Sequence, residues 1–161
     1  MLYYGCDGMT DGTPPMRPAR SASEFDGHAE RRDAFRRLNR GYYDEVTRLL
    51  RSIIPPGSSV LEIGCATGDL LAALEPSEGL GIDISPRMIE IARSKHREPG
   101  IRYEVGDAQA VGPGRTFDFV VMSDVVGLID DVQAAFESVK RCLGRRSRLV
   151  VTYYNHLWEP V

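Results

Sequence analysis

From residue 29 to 54, apolar side chains recur mostly at steps of three and four. Phe35, Leu38, Tyr42, Val46, Leu49, Leu50 and Ile53 thereby fall on one helical face. Gly41 weakens the middle of the run, which favours two helices over one, and Pro55-Pro56-Gly57 ends it. A different rhythm follows, in which short apolar runs alternate with helical periods. Residues 59–63 (SVLEI) predict a strand, 64–68 a tight turn and 69–74 (DLLAAL) a helix. A second strand is expected over 80–84 (LGIDI). Ser85-Pro86 then opens a helix as N-cap and first helical residue, with Met88, Ile91 and Ala92 inward. Residues 101–105 (IRYEV) and 117–122 (FDFVVM) predict the third and fourth strands, the latter bounded by Gly112-Pro113-Gly114. A helix over 131–143 places Val132, Ala135, Phe136, Val139 and Leu143 inward, and 148–153 (RLVVTY) is the fifth strand. Only the link between the third and fourth strands is too short and too rich in Gly and Pro to predict a helix.

This alternation predicts an α/β domain: a doubly wound, mainly parallel sheet of about five strands with helices on both faces. Residues 1–27 lack periodicity and hold five Gly and Pro between positions 5 and 15. That composition suits a flexible leader; a lid that orders over a ligand is the other reading. The domain is expected over 28–161.

Composition narrows the class. The 161 residues suffice for one core, and 42% hydrophobic against 27% charged residues rules out wholesale disorder. No apolar run approaches the ~20 residues of a membrane span, and no secretory signal pattern is visible. A net charge of −3 argues against a generic nucleic-acid binder. Cys6, Cys65 and Cys142 are odd in number and scattered. They fit neither a disulfide framework nor a zinc site and suit a reducing, cytoplasmic setting. Of the 20 basic residues, all but Lys95 and Lys140 are arginine. Arg31, Arg32, Arg36, Arg37, Arg40, Arg48 and Arg51 fall along the first helical region, partly offset by Glu30, Asp33, Asp44 and Glu45. They form either a solvated face or a recognition surface for an acceptor bearing phosphate or carboxylate.

In an open α/β sheet, ligands bind beyond the carboxyl ends of the strands. Here the first strand ends in Glu62-Ile63-Gly64-Cys65-Ala66-Thr67-Gly68-Asp69. Two ligand classes use such a turn. Dinucleotides require G-x-G-x-x-G, and aligned on Gly64 this chain has Ala66 and Asp69 where the second and third glycines belong. Asp69 would also set a negative charge where the diphosphate sits, so a nicotinamide-dependent oxidoreductase is disfavoured. The second class is an adenosyl ligand without phosphate. Glu62-x-Gly64-x-x-x-Gly68, with Asp83 closing the next strand, resembles motif I and its partner in class I S-adenosylmethionine-dependent methyltransferases. Segments 79–88 (GLGIDISPRM), 104–108 (EVGDA) and 117–124 (FDFVVMSD) resemble the next three segments of that family, in order, over roughly residues 40–155. Ala66 departs from the family's usual glycine.

The resemblance implies S-adenosyl-L-methionine as cofactor and assigns roles to individual residues. Asp83 would accept the ribose hydroxyls, or else cap a helix; Ile84 and Met88 would flank adenine, or else only pack the core. Asp107 would accept from the adenine amino group beside the Ala108 amide, or else close an Asx turn. Glu62 would meet the ammonium of the methionine end, and Gly64, Cys65 and Gly68 would contribute backbone contacts. Cys65 reads as a spacer, since no partner histidine for a nucleophile is evident. Tyr42-Tyr43 resembles the aromatic pair preceding motif I, with Tyr43 against the cofactor. Ser123 would lie beside the sulfonium. Asp124 would orient an acceptor or take its proton, or else cap the next segment, and His156 would approach the acceptor, or else be a plain surface histidine.

Methyl transfer is an in-line displacement in which most of the protein's work is alignment and exclusion of water. The expected function is therefore methylation of a small-molecule or glycan- or lipid-linked acceptor. A catalytically weak adenosyl-binding module and an interaction scaffold are the alternatives. Family members usually continue past the fifth strand into an antiparallel hairpin, for which the residues after 153 are expected to leave no room. The expectation is a domain shortened at its C-terminal end, with Leu149, Val150 and Val151 on an open sheet edge where a homodimer would pair.

Overall fold

The computed structural model of the chain describes residues 22–112 and 114–153. Its elements are α1 (Ala22–Leu38), α2 (Arg40–Ile53), β1 (Ser59–Ile63), α3 (Asp69–Ala73), β2 (Glu78–Asp83), α4 (Pro86–Lys95), β3 (Ile101–Val105), β4 (Phe117–Ser123), α5 (Val132–Lys140) and β5 (Leu143–Thr152). The strands form one sheet in the order β3-β2-β1-β4-β5, and all four pairings are parallel. Chain order therefore reverses between β1 and β4, beside the turn that follows β1.

The alternation of side chains along the central strands separates two cores. Val60 of β1 and Phe119 and Val121 of β4 join Leu50, Ile54, Leu70, Leu71 and Ile89 on one face. Leu61, Ile63, Val120 and Met122 point the other way, onto Val111, Val139 and Cys142. Burial on both faces explains why the central strands read as continuous apolar runs rather than as alternating ones. Among the described residues, no helix is long and apolar enough to cross a membrane.

Several boundaries differ from the sequence expectation. Helix α1 begins at Ala22, so residues 22–27 are helical rather than part of a leader. The break between the first two helices falls at Asn39, and Gly41 lies within α2. That break disrupts the single apolar face: Phe35 is 53% exposed and Leu38 86% exposed, Leu49 is also exposed, and of the predicted face only Leu50 is fully buried. Ser85 does cap α4, accepting from the Met88 N–H at 3.1 Å, but Ile89 takes the buried place expected of Ile91. Helix α5 is shorter than predicted: Asp131 is its N-cap, Phe136 is exposed, and Leu143 already belongs to β5. Strand β5 starts early because a register shift between Phe117 and Phe119 lets Leu143 pair with Phe117 before the regular ladder from Arg148. Leu149 and Val150 are half-buried and Val151 is exposed on this edge strand. The link between β3 and β4 holds a single 3-10 turn, Ala108–Ala110.

Candidate active site

The turn after β1 is built from left-handed residues: Gly64 at φ +74°, Ala66 at +47° and Gly68 at +82°. A Cβ on Gly64 would lie 2.5 Å from Val125, and one on Gly68 2.7 Å from the Tyr103 ring. Glycine is thus required twice, by conformation and by space. Ala66 occupies the same backbone region with a methyl group, so its local strain is accepted. The turn is anchored to the neighbouring strand. The amides of Gly64 and Cys65 donate to the Ile82 carbonyl at 2.7 and 3.0 Å, and the Ala66 N–H donates to Asp83 Oδ2 at 2.8 Å.

Asp83 also accepts from the Ser85 N–H through Oδ1 at 2.9 Å. Two backbone donors fix the carboxylate, and each oxygen retains lone-pair capacity for a further donor. Burial pushes its pKa up, while the Ser85 and Ala66 amides pull it down. Glu62 is only 3% exposed, and its Oε2 has no hydrogen-bond partner. Burial raises its carboxyl to about 8, against the opposing pull of the Leu71 amide and the Arg36 charge. Asp107 caps the 3-10 turn, accepting from the Gln109 N–H at 2.8 Å. At the end of β4, Asp124 sits at φ +55°. The Tyr42 hydroxyl donates to its Oδ2 at 2.5 Å and Thr152 Oγ1 to its Oδ1 at 3.3 Å. The Ser123 and Thr152 hydroxyls are 2.9 Å apart.

Helix α1 lies across this end of the sheet, held by polar contacts. Asp26 accepts from the Ser85 hydroxyl and from the Arg87 N–H, the latter at 3.2 Å. Glu30 pairs with Arg87, and Asp33 with Lys95 at 2.9 Å. Lys95 also pairs with Asp69 at 2.9 Å. The Tyr43 hydroxyl accepts from Arg32 at 2.9 Å, and the Arg36 guanidinium lies 4.8 Å from the Tyr43 ring centroid.

These elements enclose a cavity of about 1120 Å³. Tyr43, Glu62, Gly64, Asp83, Ile84, Met88, Asp107, Ala108, Ser123 and Asp124 all line it. Cys65 and Gly68 do not. The Cys65 side chain is buried in the core, where burial pushes its thiol well above the ordinary range, so it is no nucleophile. Gly68 is buried behind the turn, its carbonyl accepting from the Tyr103 hydroxyl at 3.1 Å. His156 lies outside the described residues. Phe25, Arg32, Arg36, Gln109 and Leu128 line the cavity without having been assigned to it from the sequence. Phe25 fell within the expected leader. The arginines at an i, i+4 spacing carried the only signal, and it was obscured by five other arginines in the same stretch.

A ligand with hydroxyl, amino and ammonium donors suits carboxylates at the ends of β1, β2 and β3. A diphosphate does not, since Asp69 occupies the first turn of α3. Fold and turn together define the class I S-adenosylmethionine-dependent methyltransferase architecture. Residues 31–159 match the family described as methyltransferase domain, and the chain belongs to that family, which leaves the dinucleotide alternative without support. The chain is 36% identical over 127 residues to the aklanonic acid methyltransferase DauC of Streptomyces sp. (strain C5), covering 72% of this chain and 58% of that protein. It is 30% identical over 106 residues to the demethylmenaquinone methyltransferase of Tropheryma whipplei (strain Twist), covering 64% and 44%. The chain thus spans about half the length of these curated relatives. Among solved structures, a TehB-like SAM-dependent methyltransferase from Corynebacterium glutamicum superposes with a TM-score of 0.63 at 27% identity, covering 78% of this chain and 72% of that one. A DhpI–SAH complex shares the fold at a TM-score of 0.71 and 22% identity, covering 80% and 65%.

Proposed function

We propose that the chain binds S-adenosyl-L-methionine and transfers its methyl group to a small-molecule acceptor with an apolar body. The observation that carries this reading is the row of carboxylates Glu62, Asp83 and Asp107, each at or just beyond the end of a successive strand and all facing one cavity. Bound there, the cofactor supplies a methyl carbon already activated by a sulfonium. Everything else falls to the chain. Asp83, pinned by two amides, presents fixed acceptor oxygens to the ribose hydroxyls. Asp107 offers its remaining oxygen to the adenine amino group, with Ile84 and Met88 against the ring. Glu62, unpartnered at Oε2, accepts from an ammonium. Ser123 lies where the sheet order reverses, and Asp124 beside it orients the acceptor or receives its proton, held by Tyr42. Helix α1 covers the cavity and excludes water.

The cavity exceeds the range of about 300–1,000 Å³ usual for a single small ligand, which leaves room for an acceptor beside the cofactor. Phe35, Val46, Leu128 and Ile129 make that remaining wall apolar, and the names of the two curated relatives also point to small molecules. The reading keeps the cytoplasmic setting that the scattered cysteines suggest.

Calorimetric titration tests the proposal. S-adenosylmethionine and S-adenosylhomocysteine are expected to bind, NAD and NADP to give no heat, and Asp83→Ala to weaken both adenosyl ligands by at least about tenfold, as loss of a charge-assisted contact requires. A folded chain that binds no adenosyl ligand would contradict it.

A further inference from the structure

Beside β4 the cavity is apolar and its charges are acidic. Val46 stands one turn along α2 from Tyr42, and Val125, Leu128 and Ile129 follow Asp124 in the chain; all of them line the space. Asp124 sits on a left-handed backbone, φ +55°, which is costly in a residue other than glycine and marks a side chain held for a purpose. Its neighbour Val125 lies against the turn after β1, 2.5 Å from where a Gly64 Cβ would stand. Asp124 thus borders both the adenosyl half of the cavity and the apolar half. The Tyr42 hydroxyl and Thr152 Oγ1 donate to it, one to each oxygen. Asp130, next to Ile129, adds a second acid to the lining. The lining arginines are engaged elsewhere. Arg32 donates to the Tyr43 hydroxyl at 2.9 Å, and its charge acts on Asp83. Arg36 lies over the Tyr43 ring and acts on Glu62 and Asp69.

We infer that Asp124 sets the charge of the acceptor: the site takes an uncharged molecule with a hydroxyl on an apolar body and excludes carboxylates and other anions. The inference rests on the adenosyl reading above and deepens it by naming the class of acceptor. A hydroxyl donates to a remaining lone pair of the Asp124 carboxylate and keeps its apolar body among Val46, Leu128 and Ile129. An anion in the same place would meet that carboxylate in an apolar setting, where like charges are screened least, with both arginines held at Tyr43. The arginine-rich first helical region therefore does not serve an anionic acceptor, which is one of the two roles its sequence allows.

The test is a cycle between ligand and protein, read by calorimetry on the full chain saturated with S-adenosylhomocysteine. The probes are 2-naphthol and 2-naphthoate, which share a flat apolar body and differ in charge at neutral pH. The unaltered chain is expected to bind 2-naphthol at least about tenfold more tightly than 2-naphthoate. Asp124→Asn keeps the shape and tolerates the left-handed backbone. It is expected to bring the two probes within a factor of about three, through a gain for 2-naphthoate. Asp124→Ala removes the charge a second way, in a backbone region that Ala66 already occupies. Tyr42→Phe keeps the charge and is expected to keep the preference. An unchanged affinity for S-adenosylhomocysteine marks each variant as folded. Equal affinity for both probes in the unaltered chain, no binding of either beside S-adenosylhomocysteine, or a preference that survives both Asp124 substitutions would overturn the inference while leaving the adenosyl reading intact. If S-adenosylhomocysteine itself does not bind the unaltered chain, the adenosyl reading falls and the inference with it.

Discussion

Glu62 is a buried carboxyl whose protonation sets the pH response of the site. Its folded pKa, about 8, stands above the ordinary 4.5. Between those values the folded chain holds a proton that the unfolded chain has released, so stability falls as pH rises from about 4.5 to 8. Glu62→Gln removes this dependence. Urea unfolding of the ligand-free chain should show the variant gaining on the parent across that window, and a difference that stays constant with pH would contradict the assignment. The same group predicts that adenosyl-ligand binding near pH 7 releases a proton, seen as a buffer-dependent heat. Single residues were unevenly legible. The acidic positions could be placed near strand ends because the strand pattern was plain, with Glu62 and Asp83 in β1 and β2 and Asp107 two residues past β3; the roles given to them came from the family resemblance. That Glu62 Oε2 lacks a partner could not be read, because it depends on how Leu71, Arg36 and the turn converge in space. Ala66 stood out in the sequence as a departure from glycine, and its left-handed backbone at φ +47° shows that the turn keeps its shape despite the methyl group.

Among the elements, the strands were predicted within a few residues, except that the half-exposed edge strand β5 starts five residues early; burial on both faces gives the central strands β1, β2 and β4 an unbroken apolar signature. The helices were harder. Helix α1 was announced only over its second half, by Phe35 and Leu38, which turn out exposed: Ala29 is its only fully buried residue among those described. Its docking depends on Asp26, Glu30 and Asp33 meeting α4, contacts some 57 to 62 positions apart in the chain. Isolated surface pairs contribute little each, so this seam should yield to screening. At about 1 M salt, where the Debye length shrinks to about 3 Å, amide exchange along α1 should accelerate while β1 and β4 keep their protection. Salt-insensitive exchange in α1 would mean that packing, not charge, holds it.

At the scale of the whole molecule, the sheet order places the site. Reversal of chain order between β1 and β4 opens a crevice at their carboxyl ends, and the carboxylates, the left-handed turn and Asp124 all converge there because each follows a parallel strand. Alternation of strand and helix was enough to anticipate that crevice. Its roof was anticipated only in part: the helical pattern from residue 29 and a lid as the other reading of 1–27 were legible, but not that α1 starts at Ala22 and crosses the crevice through polar contacts. The most direct measurement of the account is a crystal structure of the chain with S-adenosylhomocysteine. The account predicts the ribose hydroxyls on Asp83, adenine between Met88 and Asp107, and the ammonium of the amino-acid end at Glu62. A ligand bound elsewhere, or one whose ribose turns away from Asp83, would contradict it.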